Sequence, residues 1–268
     1  MTDKYAVIGH PISHSKSPLI HQTFAVQTRQ DISYQAIEAP LGGFKSTIER
    51  LLSEGYKGCN VTVPFKFEAF QLCRQLTGRA KAALAVNTLL FRDGEILGDN
   101  TDGAGLLTDI EQNLGCKLLF KRVLLMGAGG AAHGVIWQLF NAGATITVAN
   151  RTLEKAQQMV AEFAAYGTVV ACTYEGLAGK SFDVVINATS SSLTDDLPPL
   201  PQGLFKPESL AYDMMYGKQT PFLAFAAGQG AGQLADGLGM LVEQAAEAFY
   251  KWREVRPDTA PVIARLRA

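Results

Sequence analysis

Three short clusters gather the polar side chains of the first hundred residues, and each holds groups able to bind a hydroxyl or move a proton. His14-Ser15-Lys16-Ser17-Pro18 brings two hydroxyls to what reads as a helix start. Asn60-Val61-Thr62-Val63-Pro64-Phe65-Lys66 is a strand end with a lysine just past a proline. Asp99-Asn100-Thr101-Asp102-Gly103 is a polar run between two regions of different pattern. Taken singly they are an N-cap, a solvated lysine and an Asx turn. Together, neutral hydroxyls and amides with one Lys and one Asp suit a polyhydroxylated carbon substrate rather than a metal or a phosphate ester. His10 and His14 are spaced i, i+4, but Pro11 and Ser13 argue against a helical ligand pair. Cys59, Cys73, Cys116 and Cys172 lie far apart with no C-x-x-C, so no metal site is read and buried free thiols are expected.

A fourth feature sits mid-chain. Arg122 to Met126 is a short apolar run, the pattern of a strand buried on both faces. Gly127-Ala128-Gly129-Gly130-Ala131-Ala132 follows, then an apolar helical stretch over Val135 to Ala142, a stop at Gly143 and a second strand over Ala144 to Ala149. The turn fits G-x-G-x-x-A inside a β-α-β unit, where backbone N–H groups at a helix N-terminus can face a pyrophosphate. An NAD site usually places Asp or Glu about 20 residues beyond the glycines. Here the chain reads Asn150-Arg151-Thr152, with Lys155 one turn on, and no carboxylate stands at residues 150–152 to repel a 2′-phosphate. Arg151 can stack on adenine and fork onto phosphate oxygens, which favours NADP(H).

The elements that must position these groups follow from pattern. Residues 4–9, 33–39 and 58–63 read as strands, and Ser17 to Thr28, opened by Ser17 as N-cap with Pro18 behind it, as a helix. Phe44 to Glu54 and Phe67 to Leu76 read as helices, and Val86 to Gly98 as a hairpin on Asp93-Gly94. Gly103 to Leu114 reads as a helix leading to the nucleotide unit. Beyond that unit, Thr168 to Cys172, Val184 to Asn187 and Leu210 to Met214 read as parallel strands, and Leu238 to Trp252 as a final helix. That last helix is apolar on most faces and needs a buried partner outside the nucleotide sheet. The fold class is α/β: an N-terminal α/β domain, then a Rossmann-like doubly wound domain.

Bulk properties agree with a two-domain globular enzyme. The chain has 268 residues, 47% hydrophobic and 18% charged, with a net charge of −1. With no basic stripe, neither nucleic-acid nor membrane-surface binding is expected. The start, Met1-Thr2-Asp3-Lys4-Tyr5, lacks a signal pattern, and no apolar run approaches the ~20 residues a bilayer needs. A cytoplasmic location is expected.

The chain resembles the shikimate dehydrogenase family of the aromatic amino-acid pathway. The resemblance rests on eight ordered motifs: His14 to Pro18, Asn60 to Lys66, Ala85-Val86-Asn87-Thr88, Asp99 to Gly103, Gly127 to Ala131, Asn150-Arg151-Thr152, Asn187-Ala188-Thr189-Ser190-Ser191, and Asp236 to Gln244. It implies reduction of 3-dehydroshikimate to shikimate with NADPH, a cleft between two α/β domains, and a small-molecule substrate bound by a monomer or homodimer. Residues 1–102, completed by a helix over about 238–268, would bind substrate, and residues 103–237 would bind NADP(H). Carried over by motif, Ser15, Ser17, Thr62, Asn87, Asp102 and Gln244 would hold the ring's hydroxyls and carboxylate, with Lys66 and Asp102 as the catalytic pair. Gly127, Ala128, Gly129, Gly130, Ala131, Asn150, Arg151, Thr152, Lys155, Thr189, Met214, Tyr216 and Gly237 would line the cofactor. No metal is implied.

The chain departs from the family pattern in places. Lys155 stands where Arg is frequent, and lacks the bidentate fork. His133 stands where Arg or Lys is frequent, and would help a phosphate mainly when protonated. Ser192 replaces a glycine after Ser190-Ser191. Three other readings compete. A quinate/shikimate dehydrogenase of broader cofactor use would carry Asp near the ribose. A non-catalytic NADP and shikimate sensor would be expected to lose Lys66 or Asp102. A folate dehydrogenase of similar layout would not need Ser15, Ser17 and Gln244 together.

Overall fold

The computed structural model describes residues 2–189 and 196–268. The Ser190 to Ser192 departure therefore lies outside the described residues. The chain divides into two compact units: residues 1–105 with 241–268, and residues 106–240. Both are α/β, and each holds a six-stranded sheet.

In the first unit the order is β1 (Asp3–Gly9), α1 (Ser17–Thr28), β2 (Ile32–Glu38), α2 (Phe44–Ser53), β3 (Tyr56–Val61), α3 (Lys66–Leu72), β4 (Gln75–Leu76), α4 (Gly78–Ala83), β5 (Thr88–Arg92), β6 (Glu95–Asp99) and α5 (Asp102–Thr108). The sheet runs β2-β1-β3-β5-β6-β4. β1 pairs in parallel with β2 and β3, while β5 is antiparallel to both β3 and β6. The β5–β6 hairpin turns on Asp93 and Gly94, both at positive φ (51° and 78°), as a two-residue turn of that hand requires. Strand alternation makes two cores. Ala6 and Ile8 pack with Phe44, Ile48, Leu51, Phe65 and Ala69 on one face. Tyr5 and Val7 face Tyr34, Leu90, Ala248 and Trp252 on the other.

The second unit runs from a π-helical turn over Asp109–Asn113 through β7 (Arg122–Met126), α6 (Gly130–Asn141), β8 (Thr145–Ala149), α7 (Leu153–Phe163), β9 (Val169–Cys172), β10 (Phe182–Asn187), β11 (Phe205–Asp213), α8 (Pro221–Gly228) and β12 (Gln233–Asp236). Its sheet is parallel throughout, in the order β12-β11-β10-β7-β8-β9. The order reverses between β7 and β10, which is where open α/β sheets bind ligands at the strand C-termini.

The chain closes with α9 (Leu238–Arg253) and α10 (Ala260–Arg267). The apolar α9 finds its partner in the first unit. Val242, Ala245, Ala246 and Phe249 pack with Ile20 and Phe24 of α1 and Val262 of α10. Trp252 stacks on Tyr5 at 4.6 Å and donates to the Leu89 carbonyl at 3.0 Å.

Several elements differ from the sequence reading. Ser17 is the first helical residue, not the cap: Lys16 is the N-cap, and the Ser15 hydroxyl accepts the Ser17 N–H at 3.3 Å. β3 ends at Val61, because Thr62 to Phe65 turn back on a Phe65 N–H to Thr62 carbonyl bond of 3.0 Å. α3 stops at Leu72, where Cys73 is extended and leads into β4. The helix over Gly103 to Leu114 begins at Asp102 and widens into the π-helical turn at Asp109. α4, β4, α8, β12 and α10 have no counterpart in that reading, and α9 is not the last helix. β4 and β12 are too short to show a period, and α8 is apolar nearly all round. Among the described residues no helix is long and apolar enough to cross a membrane.

Candidate active site

In the first unit the polar clusters stand in the segments that follow β1 and β3 and at the start of α5, and two of them meet through Lys66 and Asp102. Lys66 opens α3 directly after the Thr62 turn, and its backbone carbonyl accepts the Val86 N–H at 3.0 Å. The side chain pairs with Asp102: Nζ to Oδ2 is 2.6 Å, with 30% and 11% of the two side chains exposed. Asp102 is the first residue of α5, and its N–H is held by Asn100 Oδ1 at 3.1 Å. Its other oxygen, Oδ1, accepts from Asn87 Nδ2 at 2.8 Å. A buried acid paired with both a cation and an amide donor is fixed in direction and keeps acceptor capacity for a further hydroxyl.

Gln244 of α9 joins the group. Its Oε1 lies 3.4 Å from Asn87 Nδ2 and 3.5 Å from Thr101 Oγ1, while its Nε2 donates to the Leu241 carbonyl at 2.7 Å. A Cβ on Gly105 would stand 2.6 Å from the Gln244 backbone nitrogen, so only glycine lets α5 approach α9 so closely. Thr62 follows β3, its N–H bonded to the Ile8 carbonyl at 2.9 Å. A Cβ on Gly9 would meet its Cγ2 at 2.6 Å. Ser15 and buried Ser17 stand at the start of α1, joined through Ser15 Oγ. The structure thus links Lys66, Asp102, Asn87 and Gln244 directly, and Ser15 with Ser17. It does not join Thr62 or the serines to the Lys66 pair by a direct hydrogen bond.

In the second unit the glycine turn joins β7 to α6. Gly127 has φ of +100°, and a Cβ there would press on the Ala188 carbonyl at 3.1 Å and Thr189 Cγ2 at 3.2 Å. Gly129 and Gly130 have open space where a Cβ would be, and Gly129 caps α6 with no side-chain hydrogen bond. This open, uncapped helix N-terminus fits a pyrophosphate, with Ala128 and Ala131 beside it. Asn150 follows β8 and donates to the Thr152 carbonyl at 2.9 Å, so the turn into α7 displays exposed Arg151, Thr152 and Lys155. His133 does not stand as a free cation for a phosphate: its Nε2 lies 3.1 Å from Glu162 Oε2 and its Nδ1 3.1 Å from the Gly129 carbonyl.

Thr189, Met214 and Gly237 sit beside a buried set built on Asn187, Asp213 and Thr220, of which sequence reasoning missed Asp213 and Thr220. The Asn187 Oδ1 accepts from Thr189 Oγ1 at 2.7 Å, and its Nδ2 donates to Asp213 Oδ2 at 3.2 Å. Asp213 also accepts from Thr220 Oγ1 at 2.6 Å and the Met215 N–H at 3.0 Å. Gly237 packs so near the Met214 carbonyl that a Cβ would be 2.2 Å from it. Also missed is Arg79, which forks onto Asp99 at 2.7 and 2.6 Å and reaches Glu247 at 3.0 Å. Burial would raise the Asp99 carboxyl, but the Arg79 hydrogen bonds and charge outweigh it and hold it below its usual value. Cys59, Cys73 and Cys172 are buried free thiols, whereas Cys116 is only partly buried. Burial pushes the Cys73 thiol up to about 12. Among the described residues no cluster of His, Cys, Asp or Glu could hold a metal ion.

Comparison with known proteins places this geometry. Residues 7–89 match the family model described as shikimate dehydrogenase substrate binding domain, residues 109–194 that of shikimate / quinate 5-dehydrogenase, and residues 237–267 that of shikimate 5′-dehydrogenase C-terminal domain. The shikimate dehydrogenase (NADP(+)) of Methylobacillus flagellatus is 59% identical over 268 residues, 99% of each chain. Among solved structures, an Ael1 enzyme from Pseudomonas putida is 51% identical with a TM-score of 0.95, covering 99% of this chain and 98% of that one. Shikimate 5-dehydrogenase from Thermus thermophilus, in complex with NADP(H) and shikimate, is 31% identical with a TM-score of 0.88 over 99% of both chains.

Proposed function

The chain belongs to the shikimate dehydrogenase family, and on that premise we propose that Lys66 and Asp102 manage the proton in its reaction. The protein is an NADP-dependent oxidoreductase that interconverts 3-dehydroshikimate and shikimate, as its curated relatives are named for. The observation that carries the proton assignment is the 2.6 Å Lys66–Asp102 pair, itself anchored by Asn87 at 2.8 Å.

NADPH, when bound, supplies the hydride to the ketone carbon. The ketone oxygen gains negative charge as the carbon is reduced, and Lys66 Nζ both faces that charge and gives it a proton. In the oxidation direction neutral Lys66 takes the hydroxyl proton. Asp102 Oδ2 accepts from Lys66 Nζ at 2.6 Å and so holds it in one direction. Ser15, Ser17, Thr62, Asn87, Asp102 and Gln244 hold the ring's hydroxyls and carboxylate. Gly127 to Ala131 cradle the pyrophosphate, with Asn150, Arg151, Thr152 and Lys155 toward the 2′-phosphate and Thr189, Met214, Tyr216 and Gly237 along the remainder. Residues 1–102 with about 238–268 form the substrate domain, and residues 103–237 the NADP domain. The enzyme works in the cytoplasm as a monomer or homodimer.

The absence of any carboxylate at the Asn150-Arg151-Thr152 turn favours this reading over a quinate dehydrogenase that uses NAD(H). Absorbance at the NADPH band, with shikimate and quinate each offered with NADP⁺ and NAD⁺, tests it. Shikimate with NADP⁺ should be the favoured combination. A site whose buried groups match one hydroxyl pattern leaves them unpaired with another. Equal kcat/KM for quinate and shikimate contradicts the assignment of those groups.

A further inference from the structure

The hydrogen bonds that reach Asp102 begin well away from it, on β2. Tyr34 is buried, and its hydroxyl donates to Asn60 Oδ1 at 2.7 Å. With its oxygen so engaged, Asn60 turns its Nδ2 to the Asn87 carbonyl at 3.3 Å and to Thr88 Oγ1 at 3.1 Å. Thr88, having accepted there, donates its single proton to Asn87 Oδ1 at 2.8 Å. The Thr101 N–H reaches the same oxygen at 2.9 Å. Asn87 Oδ1 is thereby committed as an acceptor, and Nδ2 is the end that faces Asp102. An asparagine amide has two orientations of nearly equal shape, and its hydrogen-bond partners alone decide between them. Each link in this chain has one donor sense, running from the Tyr34 phenol to the Asp102 carboxylate.

We propose that Tyr34 is a positioning residue for the reaction: its hydroxyl, through Asn60, Thr88 and Asn87, reinforces the amide orientation that the Thr101 N–H also favours and that holds Asp102 against Lys66. The proposal rests on the assignment of Lys66 and Asp102 above. Tyr34 itself is held by His21, whose ring lies flat on it at 4.2 Å with 8° between planes. Burial lowers the His21 pKa to about 3, against a smaller raising effect of Asn60, so the ring is a neutral plate at working pH. His21 lies on α1 one turn beyond Ser17, so the helix that presents Ser17 also fixes the head of the relay.

Two near-isosteric substitutions cut the chain at different links: Tyr34→Phe strands Asn60 Oδ1, and Thr88→Val removes the side-chain donor at 2.8 Å from Asn87 Oδ1 and leaves the Thr101 N–H there. Each should lower kcat/KM for shikimate oxidation by roughly 5- to 150-fold, the range for one buried polar group left unpaired. The calorimetric Kd for NADP⁺ should stay within about twofold. The double variant should be no slower than the slower single, because one relay is broken twice. A merely structural role would lower Tm in both singles, with losses that add and with kcat/KM per folded molecule intact. Single variants within about twofold of wild-type kcat/KM, or losses that multiply in the double, overturn the relay. Asn87→Ala and Lys66→Ala, run alongside, separate the two claims. If they collapse activity while Tyr34→Phe is silent, the relay is wrong. If they are silent too, the site assignment is wrong.

Discussion

The two units build their binding groups in opposite ways. In the first, four of the assigned side chains are already bonded to one another: Lys66 to Asp102, Asp102 to Asn87, Asn87 to Gln244. In the second, the turn assigned to the cofactor is backbone, with glycines open to solvent at Gly129 and Gly130 and exposed side chains at Arg151, Thr152 and Lys155. A self-satisfied polar cluster is preorganised, and removing one member leaves another buried and unpaired. A backbone cradle has no side chain to lose, so single substitutions around it act through individual surface contacts. Function should therefore be far more sensitive to substitution in the first unit than in the second.

The sharpest contrast comes from the proton pair. Lys66→Ala should lower kcat by about 10²–10⁴-fold, the usual worth of general acid–base help. Asp102→Ala should lower kcat and also raise KM for shikimate, since Asp102 is assigned to a substrate hydroxyl as well as to Lys66. Steady-state kinetics of the two variants read this split, and identical KM values would break the division of roles.

Stability should follow the same asymmetry. Arg79→Ala leaves Asp99 and Glu247 without their shared cation, and Asp99 is 1% exposed. Breaking such a pair should cost about 3–5 kcal/mol in urea unfolding at pH 7. Because the folded Asp99 pKa is lowered, its contribution is present above the unfolded value of 3.8 and fades as pH falls through the lower folded value. The wild type should lose this part of its stability below that point, and Arg79→Ala should lack that part of the loss. Parallel acid profiles for the two proteins would remove Arg79 as the cause.

In the second unit, Arg151→Ala should reduce the preference for NADP⁺ over NAD⁺ by roughly 10- to 150-fold, the worth of one charge-assisted contact. An unchanged cofactor ratio would mean that another group reads the 2′-phosphate. The smallest effect is expected at His133, which is partly exposed and already faces Glu162. His133→Ala should change the calorimetric Kd for NADP⁺ by less than about fivefold, the ceiling for a surface ion pair. A larger loss would show that His133 leaves Glu162 for the phosphate.

How far each region could be read from sequence follows from the same contrast. The β7–α6–β8 unit is written in local order, with an apolar run, glycines where side chains would clash or crowd the helix start, and a second run. Such a signal needs no long-range partner. The residues of the first site are legible as types, but their connections are not. Arg79 sits in Gly78-Arg79-Ala80-Lys81 and reads as an ordinary surface charge, yet its carboxylate partners lie 20 and 168 residues away. Asp213 and Asn187 likewise read as strand-end polar residues until the parallel register brings them side by side. Ser17 reads as a cap because hydroxyls before proline usually are, but Ser15 accepts its N–H and moves the helix start back by one residue. Very short strands such as β4 show no period at all, and only their pairing with β6 defines them.

The most direct test of the account is a pair of measurements on one preparation of Lys66→Ala: kcat for shikimate oxidation with NADP⁺, and the calorimetric Kd for shikimate. The kcat should fall by about a hundredfold or more while Kd stays within about threefold, because the lysine moves a proton and the neighbouring hydroxyls and amides hold the ring. A variant that keeps more than about a tenth of the wild-type kcat, well outside the 10²–10⁴ range of such catalysis, contradicts the proton-transfer role of Lys66.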